Sequence, residues 1–310
     1  MTLPDPPVVF DARNPALEGA ILADPESPEP WLVFGDWLQQ QGDPRGVLIM
    51  RCLAQRAAPK DPKLRRMLEV RLERYPEYFY GTLGKQGIML RWGFIHRIAL
   101  VAFDRGPGAP RLEQCLRARP QGRFVNTIEL TVPDLDRCLQ IIGELAPETL
   151  RSLALVGTDR VKDLEPLVPQ IGRLRQLSLT AGLSSRAFAT LVDAPMPKLE
   201  LLALRGDDTP ALRAVLARKD LHVRELVLDY VTPALLDIVA ELVPNLTALG
   251  VRALDSVSAL HLLDHLARFP MLATLAGSFM RIDNKVAATL RTKLAIVDFL
   301  DRYTFSALSK

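Results

Sequence analysis

From residue 95 onward the chain repeats one spacing of apolar positions nine times: an apolar residue, two others, a second apolar residue, one other, a third. The copies start at Ile95, Val125, Leu150, Leu174, Leu199, Val223, Leu246, Leu272 and Leu294, at intervals of 22 to 30 residues. The third reads L-R-S-L-A-L and the fourth L-R-Q-L-S-L. A period in the twenties with one short strand per copy is the mark of a stacked repeat array. Each copy has room for a strand, a turn, a helix and a return. In the fourth, Leu174, Leu177 and Leu179 face inward, and Ser184 or Ser185 caps a helix over 184–192. In the sixth, Thr232 is the cap, Pro233 takes the first helical position, and Leu235, Leu236, Val239 and Leu242 form the buried face. The last copy lacks a full helix after it, which suits a terminal cap on the stack or an oligomerisation edge.

The first ninety residues follow helical spacing instead. Leu17, Ala20, Ile21 and Leu22 form a short helix stopped by A-D-P at 23–25. Trp31, Leu32, Phe34, Trp37 and Leu38 follow at amphipathic offsets. Gly42 is placed to end that helix in a left-handed conformation, and Asp43 to cap the next, with Pro44 at its first position. That third helix is expected to run to about Ala57, and a fourth from Pro62 to Arg74, with a fifth starting within 76–80.

Residues 17–46, with A-D-P, G-D-W-L and G-D-P-R-G in that order, resemble the bacterial repeat-companion domain. That family is found mostly in planctomycetes and myxobacteria, commonly ahead of leucine-rich-type repeats. The match covers roughly residues 14–57 and includes Asp24, Pro25, Asp36, Trp37, Leu38, Gly42, Asp43, Pro44, Arg45 and Gly46, with Gly35 where Ala is more usual. The family carries no assigned activity, so the resemblance implies architecture alone. Cap and turn chemistry accounts for Asp43 and Arg45 without catalysis.

The later copies resemble leucine-rich repeats of the helix-bearing kind. They depart from them where Asn or Cys normally bonds turn backbone, since those positions hold Pro133, Thr158, Gly182, Asp207, Val231, Leu254 and Met280. The expected fold is therefore α/β: a small all-helical domain over 1–91, then a degenerate leucine-rich-repeat-like solenoid over 92–310.

Side chains alternate across a strand, so the residue between the second and third apolar positions is expected on the open, concave face. That column reads Ala99, Glu129, Ala154, Ser178, Ala203, Val227, Gly250, Ala276 and Asp298. The position after the first apolar residue carries Arg151, Arg175 and Arg224, and the position after the third carries Arg205 and Arg252; this arginine-bearing stripe is expected to border the small-residue floor. Arginine makes bidentate pairs with carboxylates and is enriched at interface hot spots. An acidic protein partner, bound through Arg151, Arg175, Arg205, Arg224 and Arg252 over Ala154, Ser178, Ala203 and Val227, is the expected ligand.

Composition narrows the alternatives. A net charge of +3 with interspersed signs, and a pI of about 8.8, do not indicate a nucleic-acid partner. Cys52, Cys115 and Cys138 form no metal or disulfide spacing, and no stretch is long and apolar enough for a membrane span. A cytoplasmic location is expected. His261 and His265, four apart with Asp264 nearby, are a weak two-ligand metal pattern without the Glu after the first His that a zinc protease uses. The glycines at 81–87 lack the spacing and Lys-Ser/Thr ending of a phosphate loop, and 104–111 reads as a Gly/Pro turn. No nucleophile motif is present, so no catalytic residue, cofactor or metal is expected. The expected role is a non-catalytic bacterial scaffold or adaptor, with regulation of a small GTPase as the alternative by analogy of fold.

Overall fold

The computed structural model describes residues 12–74, 79–80, 87–101, 108–117, 121–157, 160–205, 209–277 and 282–298. Among them are twelve α-helices and ten strands, an α/β arrangement in which the order of strands in the sheet is their order in the chain. Two compact units are present: Met1–Ile128 with Glu144–Leu150, and Glu129–Gly143 with Arg151–Lys310.

In the first unit, α1 (Pro15–Ala23), α2 (Pro28–Gln40), α3 (Pro44–Ala57) and α4 (Pro62–Arg74) lie where the spacing predicts them. Gly42 has φ of +74°, and Asp43 caps α3 by accepting from the Arg45 N–H at 2.9 Å. Strands β1 (Ile88–Arg91) and β2 (Phe94–Val101) pair antiparallel through a two-residue turn, Trp92 and Gly93, both at positive φ. That conformation matches the twist of a hairpin, and β1 is a strand the repeat spacing does not contain. Helix α5 (Ala109–Arg117) follows. Ile21, Trp31, Phe34, Leu38, Ile49, Trp92, Phe94 and Phe124 share one core. Trp31 meets Trp92, Phe94 and Phe124 at centroid distances of 6.0, 5.9 and 5.1 Å. This core draws on both sides of position 91: the α2 aromatics Trp31 and Phe34 pack with Trp92 and Phe94 of the hairpin and with Phe124.

Strand β3 (Thr127–Thr131) and helix α6 (Leu135–Leu145) carry the chain across the boundary between the units. The second unit then alternates β4 (Ser152–Leu155), α7 (Val168–Ile171), β5 (Gln176–Leu179), α8 (Ser185–Asp193), β6 (Leu201–Leu204), α9 (Thr209–Leu216) and β7 (Glu225–Tyr230). It continues through α10 (Pro233–Leu242), β8 (Ala248–Ala253), α11 (Ser256–Asp264), β9 (Thr274–Gly277), α12 (Asn284–Lys293) and β10 (Ala295–Asp298). All strand pairs from β4 to β10 are parallel. Leu153, Leu177, Leu202, Leu226 and Leu249 stand in register and are at most 1% exposed. Ser184 and Thr232 cap α8 and α10, accepting from Ala187 and Leu235 N–H at 3.1 and 3.2 Å. Leu242, expected in the buried face of α10, is half-buried.

The ninth copy is out of step with its predecessors. Ile296 pairs with Leu275 and Val297, not Asp298, with Ala276. The Leu294 N–H still bonds to Leu290 O at 2.9 Å, so Leu294 caps α12 and the strand starts one residue after it rather than two. Val297 packs against Leu201, Ala203, Val227 and Ala276, a cluster in which an unpaired carboxylate would be costly.

Of the described positions where regular leucine-rich repeats carry asparagine, Val231 and Leu254 are buried apolar residues, 6% and 2% exposed, while Pro133 is exposed and Gly182 has no side chain. Thr158, Asp207 and Met280 lie outside the described residues, as do the loop at 81–86, residues 104–107 of the Gly/Pro turn, and 76–78 of the expected fifth helix. Ser278, Phe299 and Leu300 are outside them too.

Candidate functional site

At the starts of the second unit's strands, the main chain builds a continuous ladder. Arg151 O accepts from the N–H groups of both Arg175 and Gln176, at 2.8 and 3.0 Å. Arg175 O accepts from Glu200 and Leu201 at the same distances, and Glu200 O from Arg224 and Glu225. Arg224 O takes Thr247 and Ala248, and Thr247 O takes Ala273 and Thr274. Successive strands lie about 4.8 Å apart, so Arg151, Arg175, Glu200, Arg224, Thr247 and Ala273 form one edge at fixed spacing. Arg175 and Arg224 are exposed and make no ion pair among the described residues. Arg151 is half-buried and engaged with other groups.

Arg205 and Arg252 belong to the opposite edge, with Asp229. Arg252 Nε stands 3.8 Å from Asp229 Oδ1, and Arg205 is engaged. Four residues of strand lie between the two edges, five steps or roughly 16 Å at 3.3 Å per residue, so the five arginines stand in two rows.

Between the edges, Ala154, Ser178, Ala203 and Val227 are 0%, 6%, 4% and 4% exposed. Little of the expected floor is open to solvent. These short side chains are covered by their neighbours: Leu201, Ala203, Val227 and Ala276 make a small apolar cluster of their own, and Ser152 donates to Gln176 Oε1 at 3.0 Å across adjacent strands. The exposed guanidinium groups of Arg175 and Arg224 stand at the edge instead.

The first unit holds a different polar group. Arg91 donates to both carboxylate oxygens of Glu26 at 2.7 Å each, and that bidentate hydrogen bond holds Glu26 below the usual carboxylate range. His96 lies beside them, its pKa lowered to about 4 by burial, then by the Arg91 charge. These three, with Trp92, Asn126 and Thr149, line a cavity of about 10 Å³, the space of one water. The Trp92 Nε1–H is buried without a partner among the described residues. The cavity is too small for a substrate.

Other candidate chemistry is used locally. The His261 and His265 rings stack 4.2 Å apart; His261 Nε2 meets Asp237 Oδ1 at 3.2 Å, and His265 Nδ1 meets His261 O at 3.0 Å. Arg268 also bonds to Asp237. Among the described residues no cluster of three or more His, Cys, Asp or Glu groups could hold a metal ion. Burial pushes the Cys52 thiol up to about 11 and those of Cys115 and Cys138 to about 12, which keeps them protonated and unreactive. Asp36 is exposed, whereas Asp43 and Arg45 form a buried ion pair at 3.1 Å beneath Phe94. No described helix is long and apolar enough to cross a membrane.

Sequence reasoning singled out Arg224 but not the cavity beside it, walled by Leu221, Val243 and Met271. Exposed methionine in a helix-to-strand turn was the available signal.

No family model and no curated protein matches the chain. Among solved structures, a crystal structure of a Bacteroides fragilis protein is similar at 16% identity, over 64% of this chain and 73% of that one, with a TM-score of 0.42.

Proposed function

We propose that the chain is a bacterial, cytoplasmic, leucine-rich-repeat-like scaffold or adaptor that binds an acidic protein partner along the charged edge of its second unit. The observation carrying this reading is the pair Arg175 and Arg224. Both are exposed guanidinium groups without ion pairs among the described residues, on a backbone edge whose spacing is fixed by hydrogen bonds. A fixed edge lowers the ordering cost that binding otherwise incurs. Such arginines pair bidentately with carboxylates. No catalytic role is proposed.

The experiment is affinity capture from the native organism with the unaltered chain and with Arg151, Arg175 and Arg224 changed together to Glu. The unaltered chain is expected to retain a partner whose capture weakens with added salt, and the triple variant to lose it. Equal capture by both sinks the proposal.

A further inference from the structure

Three consecutive helix-to-strand turns of the second unit border a half-open cavity of about 570 Å³ at the starts of β7, β8 and β9. Val243 in its wall is buried, Leu221 and Leu242 are half-buried, and Met271 is 56% exposed. His222, Arg224 and Asn245 stand among these apolar groups, all three exposed and without side-chain partners among the described residues. No acidic side chain lines the cavity. The Thr247 hydroxyl donates to Arg224 O at 3.0 Å and fixes the turn that carries the guanidinium.

One copy earlier the chain fills the equivalent turn itself. Asp220 accepts from the Met196 N–H at 3.1 Å, while Arg218 donates to Asp220 and to the carbonyls of Leu191 and Val192. No ion pair bridges the turn at 242–247 in this way among the described residues. The cavity is therefore local to this part of the array, and its volume falls within the 300–1,000 Å³ or so typical of ligand sites.

We propose that this cavity seats an acidic segment of a partner protein, with one apolar side chain on Met271 and Val243 and a neighbouring carboxylate on Arg224. The proposal rests on the edge-binding reading above and names the seat. An apolar wall with unpartnered donors and no acid in the lining complements that segment on both counts, whereas a bare anion would leave the apolar wall in water. Methionine adapts its shape to whatever side chain arrives.

The probe is an N-acetylated, C-amidated hexapeptide, Glu-Asp-Leu-Phe-Asp-Glu, titrated into the full chain while methionine ¹³C-methyl resonances are followed. The Met271 signal is expected to shift saturably, with that of buried Met196 unmoved and reporting an intact fold. Arg224→Gln is expected to weaken binding about tenfold, the loss of one charge-assisted contact. A peptide with amides for carboxylates should weaken equally, and one with Ser for Leu and Phe should not bind. A silent Met271 methyl at about 1 mM peptide, or unchanged affinity in Arg224→Gln, overturns the proposal. The two readings fail separately. Binding weakened by Arg175→Gln with Met271 silent keeps the edge and removes the cavity. Peptide binding at Met271, with capture untouched by Arg151→Glu and Arg175→Glu while Arg224 is left in place, keeps the cavity and removes the rest of the edge.

Discussion

Arg45 and Asp43 are each 1% exposed, joined at 3.1 Å, with the Arg45 guanidinium 5.4 Å from the Phe94 ring centre. Both charges have left water, and each needs the other. Arg45→Met is expected to cost about 3–5 kcal/mol in urea unfolding, because Asp43 would stay buried without its counter-charge. A loss below about 1 kcal/mol would show that the carboxylate finds solvent or other donors. His96 sets a pH dependence. Its folded pKa of about 4 lies below the ordinary histidine value of 6.5, so the unfolded chain binds the extra proton between those values. The resulting stability is present above pH 6.5 and is lost as pH falls toward 4, by about 3 kcal/mol at most. His96→Gln is expected to flatten the stability profile across that window. Glu26, held low by Arg91, has its own loss below its ordinary value of 4.5, which the variant should retain.

At the scale of elements, α2 and α3 meet where Gly46 faces Gly35. A Cβ on Gly46 would stand 2.4 Å from Gly35 O and 2.7 Å from Gln39 N, both backbone atoms. A Cβ on Gly35 would meet only the Ile49 side chain closely, at 3.1 Å. Gly46→Ala is therefore expected to push the helices apart and cost about 1–3 kcal/mol. Gly35→Ala should stay within about 1 kcal/mol of the parent, since helix propensity offsets a small adjustment of Ile49. Thermal unfolding of the two variants compares them; equal midpoints would contradict this account of the crossing. The helix starts here were legible because Pro44, Asp43 and Gly42 act through the backbone of their own turn, as do Ser184 and Thr232 later. Starts of β3 to β9 were legible for a related reason: their apolar spacing is the burial pattern. Strand β1 was not, because a hairpin turn on Trp92 depends on packing against Trp31, far off in sequence. The one-residue offset of β10 was equally hidden, for it comes from α12 running directly into the strand. At the candidate site, the arginines and their two columns, one after the first apolar position and one after the third, were readable, but the low exposure of the floor between them was not. That burial depends on packing between neighbouring strands.

Over the whole molecule, the two compact units carry separate reporters. Trp31, Trp37 and Trp92 account for all three tryptophans, and all lie in the first unit. Leu226, 0% exposed, lies in the second. Leu226→Ala is expected to cost about 2–5 kcal/mol and to lower the urea midpoint seen by far-ultraviolet circular dichroism. Tryptophan emission should move less, and equal displacement of both signals would contradict independent cores. The ladder through Arg151, Arg175, Glu200, Arg224, Thr247 and Ala273 has a consequence for how such a protein changes over time. Its geometry is written in carbonyls and N–H groups that every residue but proline possesses, so apart from Thr247, whose hydroxyl ties down the Arg224 carbonyl, the side chains displayed there carry little of the duty to hold the array together. Mutation can redraw the other five positions of that row while the strands beneath keep their places. A library randomised at those five alone would vary the displayed chemistry on an unaltered frame.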